Sequence, residues 1–307
     1  MTAARRANRA SRISFLTAMA LAFAILPLSG CLFTRRKLPA PIPPRVTQTV
    51  APEDLVKLLN QRWDNLNTLY AKVEVQASTR KAKEGTETET SYTSFPGIIM
   101  MRKPEMLRVY GRVPVIGSPM FDMASDGKNF TLYVHYPKPI AYKGPVALTH
   151  RSPNMIENMR PGFFLDALVV RGLAPDDQYG VTTDTDTVMD AKKKHLYLIQ
   201  EYILNVTRRI PGSQQNKPIR VIHFHRDDLL PYQQEIYDEQ GNPETLVTYG
   251  NYVDFGGSRY PSTVTIKRPQ ENFQIVLTVE NVKENIDLKD DQFQIEIPPD
   301  VKVQTLQ

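Results

Sequence analysis

The chain has a single cysteine among its 307 residues, so no internal disulfide can stabilise it. Its five histidines offer one close pair, His223 and His225, with Asp227 and Asp228 beside them. No further His or Cys spacing completes a zinc site, so a solvated or cross-strand-paired face is the expected role of the pair. There is no G-x-S-x-G elbow and no glycine-rich phosphate loop. The acidic stretch "TDTDTVMD" at 183–190 lacks the glycine and terminal glutamate of a calcium loop. "GPVALTHRSP" brings Thr149, His150 and Ser152 close in sequence, which does not make a triad. These absences predict a protein that is not an enzyme and needs no metal or cofactor. Nor is there a long apolar run: Ile13 to Leu26 is apolar apart from Ser14 and Thr17, and too short to cross a ~30 Å hydrocarbon core comfortably.

That short run has a context. Arg5, Arg6, Arg9 and Arg12 precede it with no acid among them, and Leu28-Ser29-Gly30-Cys31 follows. A basic start, an apolar stretch and small residues form a secretory signal. The quartet resembles the lipobox of bacterial lipoproteins, which implies acylation of Cys31, cleavage before it and acylation of the new amino group. A plain signal peptide with an incidental cysteine is the alternative. Removing residues 1–30 takes four of the 38 basic residues and none of the 33 acidic ones, so the net charge falls from +5 to +1. A nucleic-acid-binding face needs retained basic charge, so none is expected.

The predicted organisation is therefore a signal at 1–30, a lipidated cysteine with a proline-rich tether at 31–51, and one domain at 52–307. The domain opens with a helical stripe, Leu55, Leu58, Leu59, Arg62/Trp63, Leu66 and Leu69, over residues 52–70. Pro52, Glu53 and Asp54 suit its first turn. The period then changes to two: Ala71, Val73, Val75 and Ala77; Phe130, Leu132, Val134 and Tyr136; Phe273, Ile275, Leu277 and Val279. About ten strands are expected as an antiparallel meander. A second helical patch near 152–172 would be broken by Pro161-Gly162, and polar loops are expected at 79–91, 172–193 and 207–218. One helix, a meander and a helical insertion make an α+β domain. A bent sheet over two helices and a half-closed barrel with a groove both satisfy this pattern.

At "IIMMRKPEMLRV", "ASDGKNFTLYVHYPKPIAYKG" and "FQIEIPPDVKV" the chain resembles the LolA/LolB-like superfamily, the periplasmic carrier and outer-membrane receptor of bacterial lipoprotein sorting. The resemblance rests on Arg102-Lys103-Pro104, on Ser125 to Lys128 with Phe130 and Tyr133, and on Phe293 with Pro298-Pro299, in that order. It implies a strongly curved antiparallel sheet, an incomplete β-barrel, with helices covering the open mouth and an apolar cavity for acyl chains. Candidate cavity residues are Phe130, Leu132, Val134, Phe273, Ile275, Leu277 and Val279. Two positions depart from or vary the pattern. The carrier's arginine before proline is Lys103 here, without the fork geometry of a guanidinium. The receptor's protruding loop corresponds to "GRVPVIGSPMF", whose tip is Val115 and Ile116; such a tip either meets a membrane or partner or packs on its own domain.

The resemblance implies an outer-membrane lipoprotein of the periplasmic face that binds acyl chains of lipids or lipoproteins, with a periplasmic carrier or envelope protein as a further partner. Leu32, where inner-membrane retention uses Asp, points to the same membrane. The rival expectation is an envelope assembly lipoprotein that uses the sheet as a docking surface over a filled core. A hydrolase built on His150 or His223 is a third.

Overall fold

The computed structural model describes residues 41–42, 47–83, 86–136, 138–147, 160–189 and 196–306. Cys31, Thr149, His150 and Ser152 lie outside the described residues. The chain divides into two units. In the smaller, Met1–Ile42 with Val188–Tyr197, the two-residue strand β1, Pro41–Ile42, pairs parallel with Leu196 and Tyr197.

The larger unit, Pro43–Thr187 with Leu198–Gln307, begins with helix α1, Pro52–Asn65. Six strands follow, β2 to β7: Thr68–Lys83, Thr86–Ser91, Phe95–Arg102, Met106–Arg112, Pro119–Ser125 and Asn129–Val134. After β8, Ile140–Pro145, comes helix α2, Pro161–Leu168. Strands β9 to β13 are Asp177–Met189, Leu196–Arg209, Asn216–His225, Pro231–Tyr237 and Pro243–Tyr249. A small hairpin, β14 (Tyr252–Asp254) and β15 (Arg259–Pro261), precedes β16 (Thr263–Arg268), β17 (Phe273–Glu284) and the terminal β18 (Val303–Thr305). The main sheet runs β10-β11-β12-β13-β16-β17-β2-β4-β5-β6-β7-β8-β18, with β3 on β2 and β9 on β10. All these neighbours with a given register are antiparallel except β18 with β8, and the two ends do not meet, so the sheet is an open half-barrel.

The period-two segments form the middle of this sheet. Leu69, Ala71, Val73 and Val75 of β2 are buried, and Val73 and Val75 oppose Val279 and Leu277 of β17. Helix α2 fills the concavity: Phe163, Phe164, Leu165 and Leu168 join the same core as Val73, Ile99, Leu107, Met123 and Leu277. Helix α1 seats Leu55, Val56 and Leu59 on Tyr202, Leu204, Ile222 and Phe224 of β10 and β11. The outer face is covered in part too, where Leu288 and Phe293 pack on Met100.

The structure corrects several sequence expectations. Helix α1 stops at Asn65, and Leu69 and Tyr70 belong to β2 instead. Eighteen strands replace the expected ten among the described residues. The loop expected at 79–91 is a β2–β3 hairpin, with Arg80 opposite Glu89. Most of 172–193 is β9, and the expected loop at 207–218 is a turn between long strands β10 and β11. These segments are extended because threonine and alternating charge suit a pleat solvated on both faces, without an apolar side to announce it. Pro161 starts α2, where its missing N–H is harmless at the first position; residues 152–159, the first half of the expected patch, lie outside the described residues. Strand β7 ends at Val134, leaving Tyr136 exposed beyond it. The last residues assigned to the tether are tied down: Gln48 N donates to Arg226 O at 2.7 Å, and Val50 N to the Tyr202 hydroxyl at 3.1 Å.

Candidate functional site

Where α1 ends beside the mouth of the half-barrel there is a cleft of about 460 Å³. One wall is α1 itself, which presents Leu59, Arg62 and Trp63 at the spacing of a single helical face, with Leu66 just past its end. Leu168, Val169 and Val170, just after α2, form a second wall. The third comes from Tyr249, Tyr252 and Tyr260, and the floor's edge from Glu284 and Asn285 at the end of β17. The corner between β13 and β14 requires glycine: a Cβ on Gly250 would stand 2.2 Å from the Thr263 hydroxyl oxygen.

Long-range polar bonds hold these walls in place. Arg62 Nη1 donates to Leu229 O at 2.6 Å, and Asn60 Oδ1 accepts from Leu173 N at 2.9 Å. The Tyr260 hydroxyl donates to Leu168 O at 2.6 Å, and that of Tyr252 to Pro231 O at 2.9 Å. Burial pushes the hydroxyls of Tyr249, Tyr252 and Tyr260 well above the ordinary phenol range, so they are neutral hydrogen-bonding groups. Lys103, in the turn after β4, donates to Trp63 O and lies 4.0 Å from the Trp63 ring centroid. A cation there meets the negative end of α1 as well as an aromatic face. Burial lowers the Lys103 ammonium somewhat, against the pull of Asp64.

Glu284 is the residue that pattern reading missed. Strand β17 points Phe273, Ile275, Leu277 and Val279 inward, but its register with β2 slips between Val279 and Asn281. After the bulge the inward positions are Val282 and Glu284. The signal was present: Val282 stands three residues after Val279, which strict alternation does not allow. Glu284 is half-buried, its carboxyl pushed up by burial alone, and no protein group bonds to it among the described residues.

The seven residues expected to line an acyl cavity are brought together, yet not around this cleft. Phe130, Leu132, Phe273, Ile275, Leu277 and Val279 share the core with α2, and Val134 packs against it. The Phe163 ring stands edge-on to Phe273 with centroids 6.1 Å apart. Phe130 also borders a different cleft of about 490 Å³, with Met106, Asn129 and Phe293. At the other expected site, Val115 and Ile116 form the tip between β5 and β6, with relative exposures of 106% and 77%. Val113 N donates to Ser118 O across the turn's base, and Val115 sits at φ 67°, a region β-branched residues seldom occupy.

The histidine pair is engaged by protein groups. His223 Nδ1 is 2.9 Å from Glu201 Oε2, and His225 stacks on Tyr232 with centroids 4.0 Å apart. Asp228 pairs with Arg259 at 3.3 Å, and no group of three or more metal-ligating side chains occurs among the described residues. No helix among them is long and apolar enough to cross a membrane.

Comparison with solved structures gives three matches of nearly full partner length. A LolA superfamily protein from Nitrosomonas europaea is 15% identical over 80% of this chain and 99% of its own, with a TM-score of 0.46. A DUF1329 family protein from Desulfovibrio piger is 15% identical over 78% of this chain and 95% of its own, with a TM-score of 0.49. A putative outer membrane lipoprotein-sorting protein domain from Vibrio parahaemolyticus is 12% identical over 78% and 94%, also with a TM-score of 0.49. No protein-family profile and no curated protein matches the chain. At such identities the likeness carries no activity across, and the functional reading rests on the cleft.

Proposed function

We propose that this chain is a non-catalytic lipoprotein of the bacterial envelope that binds acyl chains of lipids or lipoproteins and assists their sorting or insertion. The observation that carries the reading is the helix-side cleft. Its volume falls within the roughly 300–1,000 Å³ of small-ligand sites, and aliphatic and aromatic side chains dominate its walls. An acyl chain gains ~0.8 kcal/mol for each methylene it buries there, so transfer between carriers can run on affinity differences without a nucleotide. The seven inward residues then serve as the packed floor behind α2. The functional lining moves to α1, the segment after α2 and the tyrosines.

A saturable change in the emission of Trp63, the only tryptophan, is the expected response of the full chain to monooleoylglycerol. Leu66→Glu, which puts a charge on the cleft wall, should weaken that binding at least tenfold while thermal unfolding shows a folded protein. A flat titration of the unaltered chain with monooleoylglycerol and with charged single-chain lipids of the same tail would overturn the acyl reading and favour the rival, a docking protein with a filled core.

In this reading Cys31 carries the acyl anchor at the periplasmic face of the outer membrane, and the Val115–Ile116 tip reaches a membrane or an envelope partner. Support for the tip is its exposure combined with a strained backbone, worth roughly 1–3 kcal/mol at one residue. Mass spectrometry of the membrane-extracted protein should find Cys31 as the acylated first residue, and exporting residues 32–307 behind a conventional cleavable signal should move the protein to the soluble fraction. That soluble form should still bind anionic vesicles weakly, and Val115→Asp with Ile116→Asp should abolish the residue of binding without lowering the melting temperature. An unacylated Cys31, or an unchanged membrane fraction without it, removes the anchor from the proposal, and unchanged vesicle binding removes the tip.

A further inference from the structure

Resting on the acyl reading above, we propose that the ligand of this cleft is a zwitterionic amphiphile whose headgroup carries an anionic group for Arg62 and Arg259 and a primary ammonium for Glu284. The cleft has two charged poles beside its apolar wall. At one, Arg62 and Arg259 line the same end of the cleft, and Asp228, paired with Arg259 at 3.3 Å, is the carboxylate beside them; the Arg62 guanidinium is lowered first by burial and only last by Arg259. Arg62 spends one donor on Leu229 O, and Arg259 spends one on Asp228. Each guanidinium has five N–H donors, so most of this pole's donors are not taken up by these two bonds and are open to water or a ligand. Phosphate-type oxygens meet such forks with short charge-assisted bonds.

At the other pole stands Glu284, placed inward by the bulge in β17 and given no protein partner among the described residues. A half-buried carboxylate without a bond is costly, and a donor cation from a ligand relieves both deficits together. A purely anionic headgroup would satisfy the arginines and face repulsion at Glu284. A neutral one would leave all three groups unmet. Only a headgroup with both signs complements both poles while its chain lies on Leu59, Trp63 and Leu66.

The test compares three single-chain probes with the same oleoyl tail, each titrated against the full chain and read by Trp63 emission. Lysophosphatidylethanolamine offers phosphate and ammonium, lysophosphatidylglycerol offers phosphate alone, and monooleoylglycerol offers neither. Affinity is expected to fall in that order, with steps of about tenfold, the scale of one charge-assisted contact. Glu284→Gln should abolish the difference between the two phosphate lipids and leave lysophosphatidylglycerol binding as tight or tighter. Arg259→Gln, at an exposed position, should bring both towards monooleoylglycerol. Equal affinities for all three probes would overturn the headgroup assignment and leave the acyl reading standing. Binding of none of them would overturn both.

Discussion

Phe224→Ala is expected to destabilise the protein by about 3–5 kcal/mol, the range for emptying a fully buried phenylalanine site. Phe224 is the largest side chain with essentially no exposure, and it stands at the centre of the cluster that seats α1. Around it are Leu55, Val56 and Leu59 from the helix, Tyr202 and Leu204 from β10, and Leu229 from the turn that Arg62 grips. The void would be fenced by β-strands on one side, which cannot collapse far without breaking their ladder. For a domain of this size each 1 kcal/mol lowers the melting temperature by roughly 2–4 °C, so a fall of about 6–20 °C should appear in thermal unfolding. Because α1 carries one wall of the cleft, the same variant should also lose its lipid-dependent Trp63 signal. A loss below about 1 kcal/mol would mean that α1 does not depend on this seat.

The second large effect concerns charge in the interior. Arg268 is only 4% exposed, yet it carries a full guanidinium beneath the N-terminal end of α2. Its Nη2 reaches Glu271 at 3.0 Å and Glu244 at 3.2 Å, its Nη1 donates to the Thr245 hydroxyl at 2.8 Å, and its Cζ lies 5.3 Å from the Phe163 ring centroid. The Glu271 side chain is equally buried. Arg268→Ala removes a buried cation that stands 3.0 Å from that carboxylate and is expected to cost about 3–5 kcal/mol in chemical denaturation. Adding Glu271→Gln should recover part of the loss, because one of the two carboxylates that Arg268 paired with is then neutral. If the double variant is as unstable as the sum of the singles, the two residues are not coupled and the ion pair is incidental.

How much of this was readable beforehand varies with the kind of signal. The strands with one apolar face, at Ala71–Val75 and Phe273–Val279, were legible because burial on one side leaves a period of two. The end of α1 was not. Leu66 and Leu69 continue a three-residue step, and nothing local says that Leu69 reaches the core as a strand residue opposite Glu284. The Thr-Glu repeat of β3 and the Thr-Asp repeat of β9 were illegible for the opposite reason, since a strand wet on both faces has no apolar pattern. The candidate site fared similarly. An acyl-binding role implied lining by inward strand residues, but the insertion of Phe163 and Phe164 fills that space, and a helix inserted far along the chain cannot be placed by periodicity. Glu284 was hidden by a single extra residue at the β17 bulge.

Those two polar strands also bear on why an unclosed sheet is tolerated at all. A half-barrel keeps strand edges with unpaired amides and carbonyls, and such edges invite a neighbour's strand and fibrous growth. Every residue of β3 is exposed, and its glutamates alternate with threonines. Asp184 and Asp186 do the same along exposed β9. At the far end the edge of β8 is sheathed by β18, with Leu306 N bonded to Lys143 O at 2.7 Å and the Leu306 side chain buried. Acidic margins and a last strand folded back as a seam disfavour edge-to-edge pairing between copies even when they are crowded together.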